Sequence, residues 1–141
     1  MHSHPSKDLT MNTAPQNLKD RTAIVTGSAQ GIGKAIAKRL SDAGATVAIA
    51  DLNLDNAKKT AQEIGNGAIA VPLDVSKLES VQQTIQTCLD AWDRVDILVN
   101  NAGIVGSGTP VKDLTEADWN HVLGINLTGV FLCSQAVLPT M

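Results

Sequence analysis

Tyrosine is absent from all 141 residues, and aromatic side chains amount to 2% of them, two Trp and one Phe. No phenol is therefore available as a proton donor or acceptor, and any core has to be built from aliphatic side chains. Cysteine is almost as scarce. Cys88 and Cys133 stand far apart with no C-x-x-C or Cys/His spacing, which excludes zinc or redox work and leaves two small buried hydrophobes. No basic run exists and the net charge is -3, so a nucleic acid is not an expected partner. The longest apolar run, Ala43 to Ala50, is too short to span a bilayer. The amino terminus has no apolar stretch of the signal-peptide kind; no membrane contact is expected, and a cytoplasmic location is. His2 and His4 lie close together in a polar tail and are not expected to bind metal, nor is any other cluster.

What is present fits one soluble domain. Hydrophobic residues make up 43% and charged residues 18%, ordinary values for a globular chain of this length. Met1 to Gln16 is rich in Ser, Pro, Asn and Thr and has no periodicity, so residues 1–17 read as a disordered leader and 18–141 as the domain. Leu18 leads into the first strand.

The chain is organised around Thr26-Gly27-Ser28-Ala29-Gln30-Gly31-Ile32-Gly33. Before it, Thr22 to Val25 is a β-branched apolar run suited to a buried parallel strand; after it, Lys34 to Leu40 has helical spacing. Glycine at 27 permits a sharp turn, Gly31 lets a pyrophosphate approach backbone N–H groups, and Gly33 lets the helix press on the strand. Helix-start N–H groups lack intrahelical partners and attract anions. A tight strand-to-helix turn without ligand is the plain alternative, and the glycine spacing G-x-x-x-G-x-G differs from the commoner dinucleotide fingerprint.

Ile32, Ile36, Leu40 and Ala43 mark the helix's buried stripe, and Gly44 its end. A second strand, Thr46 to Ala50, runs into Asp51, 18 positions past Gly33. There a carboxylate accepts hydrogen bonds from both ribose hydroxyls of an adenosine and opposes a 2′-phosphate, which favours NAD over NADP; the other reading is a helix-initiating turn through Asp51, Leu52 and Asn53. Leu54, Ala57, Ala61 and Ile64 give a second helix, and Ala68 to Leu73 a third strand whose Pro72 suits an edge. Asp74 and Val75 follow, where a carboxylate and adjacent N–H suit an adenine. Ser76 and Glu79 form an S-x-x-E capping box that leaves Asp74 free for a ligand. Leu78, Val81, Ile85, Cys88, Leu89 and Trp92 give the third helix; Asp96 to Val99 is the fourth strand, ending in Asn100-Asn101-Ala102-Gly103. Thr115 and Asp118 repeat the capping pattern before a helix that is interrupted near Gly124 and resumes at Leu127, with Val130, Phe131 and Val137 as its stripe. Asn126, at the interruption, is expected to bond local backbone. His121 reads as a surface residue.

These motifs, from Thr26 to Gly33, Asp51, Asp74-Val75, Asn100 to Gly103 and Asn126, resemble in order and spacing the short-chain dehydrogenase/reductase family. The resemblance implies a doubly wound Rossmann sheet of order 3-2-1-4 and hydride exchange between NAD(P) and an alcohol or carbonyl. It implies a cofactor site made of Gly27, Ser28, Gln30, Gly31, Ile32, Gly33, Asp51, Leu52, Asp74, Val75, Asn101, Ala102 and Gly103, with Asn101 and Gly103 nearest the ribose. By the same resemblance Asn126 holds a water of the proton relay. The family's reaction needs a serine and a Tyr-x-x-x-Lys pair, and a chain without tyrosine cannot supply the latter. Ser134 is not the family's serine by position. The expectation is a chain truncated after four strands that binds the adenosine end of NAD weakly and turns over nothing alone. Two other readings stay open: a non-catalytic interaction protein that forms a homo-oligomer or pairs with a full-length relative, and an NADP-dependent reductase fragment, suggested by Lys34 and Arg39.

Overall fold

The computed structural model describes residues 17–141. Apart from Asn17, the expected leader lies outside the described residues, as do His2 and His4. Strand β1 (Thr22–Thr26) is followed by α1 (Gly31–Asp42), β2 (Thr46–Asp51), α2 (Leu54–Ile64), β3 (Ile69–Pro72), α3 (Leu78–Trp92) and β4 (Ile97–Val99). After a loop and a 3₁₀ turn at Val111–Asp113 come α4 (Glu116–Leu123), a π-helical segment (Gly124–Thr128) and α5 (Gly129–Val137). The strands form one parallel sheet in the order β3-β2-β1-β4, the Rossmann-type arrangement expected. Ile24 pairs with Ala48 on one side and Leu98 on the other, which fixes the central register. Pro72 sits opposite Asp51 on the outer strand, where its missing N–H disrupts nothing.

A parallel sheet needs cover on both faces, and the strands read as near-continuous apolar runs for that reason. Side chains alternate across β1: Ile24 joins a core with Val71, Val81, Ile85, Cys88, Cys133 and Val137 under α3 and α5. Ala23 and Val25 join the opposite core with Val47, Ile49, Ala37 and Ala57 under α1 and α2. Cys88 and Cys133 are buried as expected, and removal from water pushes their thiols up to about 12 and about 11.

Three local expectations need correction. The buried face of α1 is Gly33, Ala37 and Ser41, not the stripe beginning at Ile32, which is 76% exposed. Small residues face the sheet because the helix lies close to it; the larger Ile36 and Leu40 fill the flanks. Ser76 does not cap α3, whose first residue is Leu78 with Lys77 before it. Instead Ser76 donates from Oγ and N–H to Asp74 Oδ1, at 2.6 and 3.0 Å. The expected helix interruption near Gly124 is a π turn inside one continuous helical rod, and the buried face of α5 is Gly129, Cys133 and Val137, with Leu127 and Phe131 outward. Thr115 and Asp118 do form a reciprocal capping box. The rod Glu116–Thr140, 25 residues, is long and apolar enough to cross a membrane by length and composition, although no single apolar run within it reveals this. It lies along α3, with Gly129, Cys133 and Val137 in the core.

Candidate functional site

At the carboxyl end of the sheet β1 turns through Gly27 at φ +64°, its N–H donating to the Ala50 carbonyl at 2.8 Å. A Cβ on Gly27 would stand 2.9 Å from the Ala102 Cα, and one on Gly33 only 2.4 Å from the Gly27 oxygen and 2.5 Å from Asn101 Nδ2. These two glycines let β1, α1 and the β4 loop meet. Gly31 differs: its φ is +61°, but a Cβ there would meet nothing within 4 Å. The space above it is open, at the first turn of α1, where backbone donors are unpaired by the helix itself.

Asp51 couples this loop to β2. Its Oδ2 accepts the Ala29 N–H at 3.0 Å and its Oδ1 the Asn53 N–H at 2.9 Å. The helix-initiating turn is therefore present, and each oxygen keeps a further lone pair. On the other side Thr26 Oγ1 accepts the N–H groups of Asn101 and Ala102, both at 3.0 Å, and Asn101 Nδ2 donates to the carbonyls of Thr26 and Gly27 at 3.0 and 3.1 Å. The Asn101 amide thus ties β4 to β1 and the glycine loop.

Between these walls lies a cleft of about 240 Å³ lined by Gly27, Gln30, Asp51, Leu52, Leu73, Asp74, Val75, Asn101, Ala102, Gly103, Ile104 and Ile125. Its lining carries two carboxylates and no cationic side chain. Lys34, beyond the glycines, is paired with Glu63 of α2.

Asn126 makes a reciprocal pair with the backbone of a distant residue rather than with local backbone, a further correction: its Oδ1 accepts the Ile104 N–H and its Nδ2 donates to the Ile104 carbonyl, both at 2.8 Å. The π turn brings the amide to the loop after β4. A Cβ on Gly103 would stand 3.3 Å from Asn126 Oδ1. π turns of this kind are enriched at functional sites.

The model of the family described as short chain dehydrogenase matches residues 21–141. The chain belongs to the short-chain dehydrogenase family. Among curated relatives of this short-chain dehydrogenase chain, a sorbitol dehydrogenase of Cereibacter sphaeroides is 42% identical over 124 residues, 88% of the chain and 48% of the relative. A 3-oxoacyl-[acyl-carrier-protein] reductase of Synechocystis is 42% identical over 128 residues, 88% and 51% of the two. The crystal structure of a 3-ketoacyl-(acyl-carrier-protein) reductase from Brucella melitensis, complexed with NADH, superposes with TM-score 0.84 at 35% identity, over 88% of this chain and 51% of that one. The chain spans about half the length of these relatives.

Within this short-chain dehydrogenase fold most of the expected site residues converge on the cleft. Gly27, Gln30, Asp51, Leu52, Asp74, Val75, Asn101, Ala102 and Gly103 line it. Ser28 does not present its side chain there: it is fully buried, and its Oγ donates to the Val25 carbonyl at 2.6 Å. Gly31, Ile32 and Gly33 form the adjoining helix start, with the Ile32 side chain in solvent. Asn126 is one layer out, behind Gly103 and Ile104. The sequence reading missed Leu73, Ile104 and Ile125, apolar residues each next to a residue it had named. It also missed Thr60, whose hydroxyl reaches the glycine loop across 31 positions, a contact with no local signal. Among the described residues no group of His, Cys, Asp and Glu could hold a metal ion.

Proposed function

We propose that this chain is the cofactor-binding portion of an NAD-dependent oxidoreductase that exchanges hydride between NAD(H) and an alcohol or carbonyl. The observation that carries the reading is the Asp51 carboxylate, hydrogen-bonded to the glycine loop and facing the same cleft as Gln30, Asp74 and Val75. Open space above Gly31 and the first-turn N–H groups of α1 suit a pyrophosphate. Asp51 would take the ribose hydroxyls, and Asp74 with the Val75 backbone the adenine. Asn101, Ala102 and Gly103 would meet the ribose on the nicotinamide side. Asn126 would fix the loop there through Ile104, and by family resemblance hold a relay water. A nicotinamide dinucleotide held there would be the hydride carrier, and the chain's residues would position it.

Two acidic side chains and no cation in the cleft favour NAD over NADP, and the engagement of Lys34 with Glu63 weakens the NADP alternative. With no tyrosine the chain has no proton donor of the family's kind and is expected to be inactive alone. Calorimetric titration of the folded chain with NAD and NADP tests the first claim, and NADH formation with a panel of alcohols the second. Absence of NAD binding, or steady turnover, would defeat them respectively. The pairing alternative has an observation of its own: Trp119, Leu127, Phe131 and Leu138 are all more than half exposed along one rod. Gel filtration of the chain alone and mixed with a full-length relative tests it.

A further inference from the structure

Thr60, in the middle of α2, is 2% exposed, and its Oγ1 donates to the carbonyl of Ala29 at 2.7 Å. Ala29 itself is 6% exposed, and its N–H goes to Asp51 at 3.0 Å. Both polar ends of this loop residue are thereby held, one by a strand and one by a helix. A trans peptide points its carbonyl and its N–H in opposite directions, and no cis bond occurs among the described residues. A carbonyl held inward by Thr60 therefore turns the Gln30 N–H away from α2. Among the described residues that N–H donates to no protein acceptor, and Gln30 is exposed at the cleft.

We infer that Thr60 is a positioning residue for the glycine loop: by holding the Ala29 carbonyl, it aims the Gln30 N–H at the place where a phosphate of the dinucleotide would sit. The inference rests on the NAD-binding reading and adds to it a residue that does not touch the cleft. Its physical basis is preorganisation, since a donor already aimed at an anion need not reorient on binding. Without the hydroxyl, the Ala29–Gln30 peptide is free to rotate to satisfy its buried carbonyl.

The test compares Thr60→Val, which keeps the shape and loses the hydroxyl, with Thr60→Ser, which keeps the hydroxyl. Cys88→Ala, in the core on the opposite face of the sheet, serves as a control for general destabilisation. Calorimetry with NAD should show affinity reduced about tenfold in Thr60→Val, the worth of one hydrogen bond to a charged group. Thr60→Ser should recover parental affinity, and Cys88→Ala should retain it despite a lower Tm. Without cofactor, the amide resonances of Gln30 and Gly31 should move in Thr60→Val and not in Thr60→Ser. Parental NAD affinity in Thr60→Val, unmoved amides, or a serine variant as weak as the valine one would each overturn the role. If the parent chain binds no NAD, the cofactor reading fails, and the amide resonances alone still decide whether Thr60 orients the peptide.

Discussion

If Asp51 takes the ribose hydroxyls as proposed, replacing it by Asn separates that role from its hold on the glycine loop. The parent carboxylate accepts Ala29 N–H on Oδ2 and Asn53 N–H on Oδ1. An amide offers one oxygen. Ala29 is buried while Asn53 is exposed, and leaving a buried N–H unpaired costs about 1–3 kcal/mol, so the oxygen should turn to Ala29 and water should serve Asn53. The fold survives, and what is lost is charge. A hydrogen bond from a ribose hydroxyl to a neutral rather than an ionised acceptor is weaker by roughly 1.4 kcal/mol, about tenfold in NAD affinity. Toward NADP the carboxylate repels a phosphate by about 4 kcal/mol per unit charge at 4 Å and an effective dielectric of 20. Solvent at this half-buried site halves that to roughly 2 kcal/mol, about thirtyfold. The ratio of the NADP to the NAD dissociation constant should therefore fall about 300-fold in Asp51→Asn, two effects multiplied. Calorimetric titration with both dinucleotides at low and high salt measures it, and the parental ratio should itself shrink with salt. A ratio unchanged by the substitution would refute the reasoning and leave Asp51 as a loop tether.

Gly33→Ala forces a Cβ to within 2.5 Å of the Gly27 carbonyl, and should destabilise by about 1–3 kcal/mol and abolish NAD binding, read by thermal melts and titration. Gly31→Ala meets no atom but strains a positive φ, so about 1–2 kcal/mol is expected with no clash. Asn126→Ala removes both bonds to Ile104 and should cost about 1–3 kcal/mol, with faster hydrogen exchange in residues 103–109. The Cys88 and Cys133 thiols stay protonated in the fold up to about 12 and about 11 but ionise from 9.0 once exposed. Stability is therefore full below that value and declines as pH rises above it; denaturant titrations across the range should show the slope, reduced in Cys88→Ala. At the acid end, burial raises the Asp96 carboxyl, but bonds from Arg94 and from Thr22 outweigh this and hold it below 3.8. Its contribution is present above that value and lost as pH falls below it, and Asp96→Asn should flatten the acid limb of the same curve.

The strands were legible because a sheet covered on both faces demands near-continuous apolar runs rich in β-branched residues, and Thr22 to Thr26 and Thr46 to Ala50 are such runs. The loop was legible because Gly27 and Gly33 are enforced by contacts that exclude any Cβ. Helix faces were less so. Hydrophobicity pointed to Ile32 and Ile36, whereas closeness to the sheet selected Gly33 and Ala37, and periodicity measures apolarity rather than fit. The Ser76 capping box failed because α3 begins at Leu78 with Lys77 in the cap position, which leaves Ser76 outside the helix with its hydroxyl donating to Asp74. Asn126 and Thr60 act on backbone 22 and 31 positions away, and no local pattern encodes such a partner.

On the proposed reading, the single acid that joins the ribose side of the cleft to the Ala29 peptide would make cofactor choice and loop order one inherited trait. A lineage drifting toward a phosphorylated dinucleotide cannot simply discard that side chain, because the buried amide it holds would be orphaned. It must first recruit another acceptor for that amide, or keep a neutral one in place. Exchanges of preference that remove the acceptor altogether should accordingly arrive in pairs, with the second change near residue 29 rather than at the sugar.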